Sequence, residues 1–142
     1  MMRLGKCLAA LVASLVFLGC DGFSLDTYWR SGNYRLLAVD DLGQMSLVFP
    51  TGNGTGIGIV GPTVFAIGEN EKFIVLKVHP STDEFGGFDR SVTHYFVVER
   101  TASPHLADAE KGVRGPFTKA EFDKLAVTQS FPKFTKTLKK LE

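Results

Sequence analysis

The middle of the chain alternates apolar and polar residues with the period of two that is typical of β-strands. Met45, Leu47 and Phe49 share one side of such a stretch, and Pro50 follows it. Two segments, residues 44–49 and 72–79, have this character, and three more are rich in β-forming residues; polar turns rich in glycine and acidic residues connect two pairs of the five. The pattern predicts five strands, at residues 34–39, 44–49, 63–67, 72–79 and 94–99.

The last third of the chain has helix-starting chemistry instead. Ser103 is a typical N-cap residue, and Pro104 is a typical first residue of a helix. Gly112 is typical of a helix end, so the sequence predicts a short helix over residues 104–111. A second helix is predicted to begin at Thr118, because Thr118 and Glu121 have the spacing of a capping box.

Three apolar residues of this second helix, Phe122, Leu125 and Ala126, fall on one face, and Phe117 is placed to pack against Phe122 as a hydrophobic staple. Strands followed by helices indicate an α+β domain. We expect an antiparallel sheet of about five strands, built from hairpins or a meander, with one or two C-terminal helices packed on it.

A glycine-rich stretch, residues 51–61, separates the second and third predicted strands. Its end, GIGIVG at residues 56–61, has the spelling of a dinucleotide-binding fingerprint. That motif needs a helix whose N-terminal amides face the pyrophosphate, whereas Pro62 and a β-rich segment follow here. We therefore expect a flexible loop that leads into a strand, and no nucleotide site.

The N-terminus has the pattern of a secretory signal. Arg3 and Lys6 precede an uncharged, mostly apolar stretch at residues 8–18, and polarity returns after Cys20. The stretch is shorter than the roughly 18 residues that a membrane-spanning helix needs. The alternative is a buried N-terminal helix.

The residues Phe17, Leu18, Gly19 and Cys20 resemble the lipobox of bacterial lipoproteins. The resemblance implies that a diacylglyceryl group is attached to the Cys20 thiol and that the signal is cut just before it. It also implies a bacterial cell envelope location, with the protein anchored by lipid to the inner or outer membrane and its domain facing the periplasm.

Three segments follow from this interpretation: a cleaved signal at residues 1–19, a lipidated tether at 20–32 and a single small α+β domain at 33–142. Cleavage removes two of the 16 basic residues and none of the 15 acidic ones, so the net charge changes from +1 to −1. This balance argues against a nucleic-acid partner. In the tether, Tyr28 and Trp29 either rest at the membrane interface or pack against the domain edge.

A looser resemblance covers about residues 33–125. The order of turns and strands, followed by Gly115, Pro116, Phe117, Thr118, Glu121 and Phe122, resembles a group of small uncharacterised bacterial lipoproteins. In that group the last segment opens the C-terminal helix. The resemblance implies a structural role for these residues and no activity.

Candidate catalytic and metal-binding residues are sparse. His79, His94 and His105 lack a second ligand at metal-binding spacing, so a shared site would require the strand ends that carry His79 and His94 to meet. No nucleophile motif is present. We therefore expect no enzymatic activity, no cofactor and no bound metal.

The loop at residues 81–91 is the candidate partner-binding surface. Phe85 and Phe88 flank two glycines, and Arg90 follows; aromatic and arginine side chains are typical of binding hot spots. The alternative is that the phenylalanines fold back onto the core. The C-terminal tail, residues 132–142, has a similar ambiguity, since its lysines suit anionic lipid or an acidic partner while its apolar residues suit docking on the domain.

These observations lead to a functional hypothesis. We expect an envelope lipoprotein whose non-catalytic domain binds a protein partner, and one specific form is an immunity protein against a toxin that acts in the envelope. The alternative is a lipoprotein that binds a small ligand or the cell wall, which would require a concave apolar pocket with a few convergent polar groups.

Overall fold

The computed structural model describes residues 27–142. Its nine strands are β1 (Thr27–Ser31), β2 (Tyr34–Leu37), β3 (Ser46–Pro50), β4 (Gly56–Val60), β5 (Val64–Glu69), β6 (Phe73–Val78), β7 (His94–Glu99), β8 (Val113–Phe117) and β9 (Lys136–Thr137). Its two helices are α1 (Leu106–Lys111) and α2 (Lys119–Thr128), and a 3₁₀ turn at Leu42–Gln44 precedes β3.

The strands form two antiparallel sheets. One has four strands in the order β1-β2-β3-β4, and the other has five in the order β8-β7-β6-β5-β9. The expected α+β class is confirmed, but the expected single sheet is wrong. The chain leaves the first sheet after β4 and begins the second with β5, and the apolar faces of the two sheets pack against each other.

The two sheets enclose a shared hydrophobic core. Leu47 and Phe49 of β3, and Met45 just before the strand, are fully buried in it, as their alternation predicts. From the second sheet, Ile67 and Leu76 meet them. Each fully buried side chain of this size contributes roughly 1.5–3 kcal/mol to folding.

The outer face of the five-stranded sheet is covered by α2 and the segment that follows it. Phe73 and Val75 of β6 belong to this second cluster, whereas their neighbours Ile74 and Leu76 belong to the core between the sheets. Strand β6 is therefore apolar on both faces because each face is covered, and Phe122 of α2 fills the outer cluster.

Four strands were not expected from the sequence. β1 lies within the predicted tether, residues 20–32, and β4 lies in the glycine-rich stretch for which the sequence predicts a flexible loop. β8 lies between the two helices, and β9 lies in the C-terminal tail. Each is an edge strand. None has a clear alternation of apolar and polar residues of its own, so local periodicity does not reveal it.

The helices follow the predicted signals closely. Thr118 caps α2, its Oγ1 accepting from Glu121 N (3.2 Å) while Glu121 Oε2 accepts from Thr118 N (2.8 Å), which confirms the capping box. Helix α1 begins later than predicted, with His105 and not Ser103 at the N-cap. Among the residues described, no helix combines the length and the hydropathy needed to cross a membrane.

Candidate binding surface

The loop between β6 and β7, residues 81–91, is held in one shape by hydrogen bonds of its own. Asp83 Oδ1 accepts from the backbone N–H groups of Phe85 (2.8 Å) and Gly87 (3.0 Å). Ser81 Oγ donates to the Asp83 carbonyl (2.7 Å). An aspartate side chain that accepts hydrogen bonds from backbone N–H groups of the residues that follow it commonly stabilises a turn.

The tip of this loop rests against the 3₁₀ turn through close backbone contact. Gly86 has φ +95°, a region that favours glycine. A Cβ atom on Gly43 would overlap the Gly86 carbonyl, and a Cβ atom on Gly86 would lie 2.5 Å from Asp41 Oδ1. Gln44 Nε2 also donates to the Glu84 carbonyl (3.3 Å). The loop tip is therefore fixed to a second element.

Phe85 projects into solvent from this fixed tip. Its side chain is 78% exposed, and it is the one aromatic among the strongly exposed large apolar residues of the described chain. A ring on an ordered backbone loses little further conformational freedom when a partner binds it. The position therefore combines exposed apolar surface with preorganisation.

Phe88 has the opposite environment. Its ring is partly buried against the core and is nearly parallel to that of His79, with centroids 5.9 Å apart. The guanidinium carbon of Arg90 lies 4.5 Å from the Phe88 ring centroid. Arg90 also donates to the carbonyls of Lys140 (2.9 Å) and Glu142 (3.2 Å).

Of the three candidate partner-binding residues, only Phe85 therefore has a freely exposed ring. Phe88 and Arg90 connect the loop to the core and to the C-terminal segment. The alternative in which a phenylalanine folds back onto the core describes Phe88, whereas Phe85 is exposed.

His79 lies at the base of the loop and is nearly inaccessible. Its ring stacks on Phe65 with centroids 4.0 Å apart, and its Nδ1 lies 2.7 Å from the Val92 carbonyl oxygen, which accepts a hydrogen bond when Nδ1 carries the proton. The ends of β6 and β7 do meet, as a His79/His94 metal site would require. In residues 27–142, however, no three His, Cys, Asp or Glu side chains are grouped to hold a metal ion.

The surroundings of Phe85 are acidic. Asp83 and Glu84 precede it in the loop, and Asp40 and Asp41 precede the 3₁₀ turn against which the loop rests. All four are exposed, and within the described part of the chain none forms an ion pair. The sequence does not show this grouping, because some 40 residues separate the two acidic pairs and only the contact at Gly86 joins them.

Asp89 adds a further negative charge to the same loop. The Ser91 hydroxyl (2.6 Å) and the Ser91 backbone N–H (2.9 Å) both donate to Asp89 Oδ1, and these hydrogen bonds lower the pKa of the Asp89 carboxyl. Hydrogen bonds to the ionised form stabilise it. The loop therefore keeps this charge over a wider acid range than a free aspartate would.

The C-terminal tail is docked on the domain through its apolar residues. Leu141 is buried, and Phe134 and Leu138 pack against the two clusters. Lys136 of β9 donates to the Tyr28 carbonyl. Tyr28 and Trp29 both pack against the core between the sheets. Of the two alternatives for these residues, the structure therefore shows packing against the domain.

Two surface grooves with apolar lining occur in the described residues. One, of about 570 Å³, lies beside α2 and includes Phe117, Glu121 and Leu125. Glu121 is already used in the helix cap. A smaller apolar groove of about 200 Å³ lies between Tyr28, Leu42 and the tail. Neither has the convergent unused polar groups that are typical of a small-ligand site.

Comparisons of the chain with protein-family models, with curated proteins and with solved structures gave no match. The predicted lipidation site, Cys20, lies outside the described residues. The GIGIVG motif is within them: its first five residues form β4, which is followed by Gly61, Pro62 and β5, not by a helix.

Proposed function

We propose that this protein is an envelope lipoprotein, anchored at Cys20, whose folded domain binds a protein partner through the tip of the loop at residues 81–91. The observation that carries the proposal is the exposed Phe85 ring on an ordered loop. Exposed aromatics at fixed positions are typical of binding hot spots.

The charge around Phe85 indicates the chemistry of the partner. Asp83 and Glu84 precede the ring in the loop, Asp41 lies against Gly86 with Asp40 before it, and none of the four forms an ion pair within residues 27–142. A basic surface with an apolar cleft complements this arrangement, whereas an anionic bilayer would be repelled by it. The partner is therefore a protein with a basic face. If that partner is a toxin, this protein acts as its immunity protein.

The lipid anchor would keep this surface near the membrane. Strand β1 already includes Thr27, so at most six residues can separate the folded domain from Cys20. Six extended residues span at most about 20 Å. A partner that reaches the domain must therefore act at or near the bilayer surface.

Photo-crosslinking at position 85 tests the binding surface. A photoreactive residue replaces Phe85 in the full-length protein in growing cells, and a second strain carries it at Val127, which is 85% exposed on α2. We expect a discrete crosslinked product from position 85 and not from position 127. Replacing Asp83 and Glu84 with Asn and Gln should weaken that product, because the attraction to a basic partner is reduced.

Equal products at positions 85 and 127, or none at 85, would contradict partner binding through this loop. If the product forms, mass spectrometry identifies the partner, and its interface should be basic. In a toxin–immunity pair, cells with Phe85→Ser should lose protection while retaining normal levels of the protein.

Replacement of the anchor residue tests the other half of the proposal. Cys20→Ser should leave the precursor uncut or release the protein from the membrane fraction, because no thiol remains for the lipid. Detergent-phase partitioning and the intact mass measure this directly. An unchanged membrane fraction, with no loss of lipid mass, would rule out the lipoprotein assignment without bearing on the loop.

A further inference from the structure

The hairpin of β3 and β4 is unusual in its charge. No charged residue occurs between Asp41 and Glu69, a range that includes both strands and their turn. Protein surfaces normally include many charged side chains, and their depletion is characteristic of the buried centres of interfaces. Much of this uncharged segment is nevertheless exposed, including most of β4.

Strand β4 is also the least protected sheet edge of the described chain. It is the outer strand of the four-stranded sheet, and its residues 56–60 have no proline and no charge. Ile57 is 48% exposed there. Natural proteins usually protect such an edge with lysine, proline or a covering element, because its unpaired N–H and C=O groups can pair with another strand.

The other three edges have such protection. Strand β1 includes the exposed Arg30, and β8 includes Arg114 and Pro116 and is contacted by α2. Strand β9 has only two residues, one of them Lys136. The contrast indicates that the β4 edge is kept open for a strand partner.

We propose that β4 pairs antiparallel with β4 of a second copy of this chain. In a twofold-symmetric pair centred on Gly58, Gly58 faces itself, and Ile57 faces Ile59. Residues near a twofold axis meet their own copies, so any charge there would be repelled. The uncharged hairpin meets this requirement, and the two four-stranded sheets continue into one eight-stranded sheet.

A second copy suits this edge better than a foreign strand for the same reason. A charged partner strand would find no complementary charge on β4 or β3, whereas self-pairing needs none. The interface is narrow, so dimers form where the protein is locally concentrated. The pairing involves neither Phe85 nor the anchor, and it stands or fails independently of the proposed function.

Disulfide trapping in the full-length protein tests the pairing. Opposed residues of an antiparallel pair have Cα atoms about 4.5–5.5 Å apart, which suits a disulfide. A side chain at position 58 is tolerated, because the atom nearest to its Cβ would be the Ser46 Cβ, at 3.5 Å. Gly58→Cys should therefore give a covalent dimer on mild oxidation in intact cells.

Three controls make the result decisive. Wild type reports any background from Cys20, and Val127→Cys reports random collision at an exposed position on α2. Within the Gly58→Cys protein, Ile57→Lys should abolish the dimer by placing two positive charges at the edge, while Ile57→Thr should retain it. Thermal melting verifies that both substituted proteins are folded.

A Gly58→Cys protein that remains monomeric overturns the proposal. So does a dimer that forms equally well with Val127→Cys, or one that persists after Ile57→Lys. A mixed disulfide with another protein at position 58 would show that the edge receives a foreign strand, and would also overturn it.

Discussion

Phe85 and Phe88 differ in environment although the local sequence, Phe-Gly-Gly-Phe, is symmetric about its glycines. The hydrogen bonds of the loop decide between them. Asp83 accepts from the Phe85 N–H and fixes that residue at the outer tip, while the bridge between Ser81 and Phe88 returns Phe88 to the sheet. Hydrophobicity alone therefore identifies the loop but not the exposed ring.

Substitutions at the two rings should have unequal effects on stability. Phe85→Ser should change the free energy of unfolding by less than about 0.5 kcal/mol, whereas Phe88→Ser should lower it by about 1–3 kcal/mol through lost packing on His79. Val127→Ser is the exposed control. Urea denaturation measures all three, and equal losses at both phenylalanines would contradict the environments described above.

The acid response of Asp108 gives a second test at the level of single residues. Ser103 Oγ donates to Asp108 Oδ2 (2.6 Å), and this hydrogen bond lowers the pKa of Asp108. A carboxyl whose pKa is lower in the folded state contributes stability above its unfolded pKa and loses it as the pH falls through the folded pKa. The effect thus lies below about pH 4.

Ser103→Ala should raise the Asp108 pKa towards its ordinary value and remove this part of the acid dependence. Carbon-detected NMR titration of the carboxyl groups measures the pKa directly. Asp89, whose pKa is lowered by Ser91, is the internal control and should be unaffected by Ser103→Ala. An unchanged Asp108 titration would mean that the Ser103 hydrogen bond is not formed in solution.

Among the elements, β4 shows how a partner overrides local preference. Glycine disfavours strands, and its density at residues 51–61 predicts a loop. Gly52 and Gly54 do form a turn with positive φ, but Gly56 begins a strand. A Cβ atom on Gly56 would overlap the Val48 side chain of β3, so glycine is needed there for close pairing.

Helix α2 shows the opposite case, in which local chemistry is sufficient to predict where the element begins. Thr118→Ala should lower the free energy of unfolding by about 1 kcal/mol, because the Glu121 N–H loses its cap. Phe122→Ala should cost more, about 3–5 kcal/mol, since the ring is buried against Tyr95. Thr128→Ala, at the exposed end of the helix, should have little effect, and denaturation that ranks the three differently would contradict this description.

At the scale of the whole molecule, one arginine connects the two sheets. Arg100 Nη1 donates to Glu69 Oε2 (2.7 Å) of β5, and Nη2 donates to Ser31 Oγ (2.8 Å) of β1. The pair is partly exposed, so its charge alone contributes little. Its importance lies in joining three segments that are far apart in sequence.

Arg100→Lys should not replace this connection, because one ammonium group lacks the planar fork that reaches both sheets. We expect Arg100→Gln and Arg100→Lys each to lower the free energy of unfolding by about 1–3 kcal/mol. Arg30→Gln, at an exposed position of β1, is the matched control. Full stability of Arg100→Lys would show that a single positive charge is sufficient.

The sequence alone determined those elements whose signals are local. Alternation predicts β3 and β6, β-rich composition predicts β2, β5 and β7, and the capping box predicts the start of α2, because each signal depends on residues close together in the chain. The lipobox hypothesis has the same local basis.

Only the tertiary structure decided what pairs with what. Division into two sheets, the pairing of β9 with β5 and the grouping of Asp41 with Gly86 all depend on segments distant in the chain. A short window of sequence has no information on such contacts, because the gain from burial and backbone pairing appears only when both partners are present. For the same reason, only the folded loop determines that Phe85 is exposed and Phe88 is not.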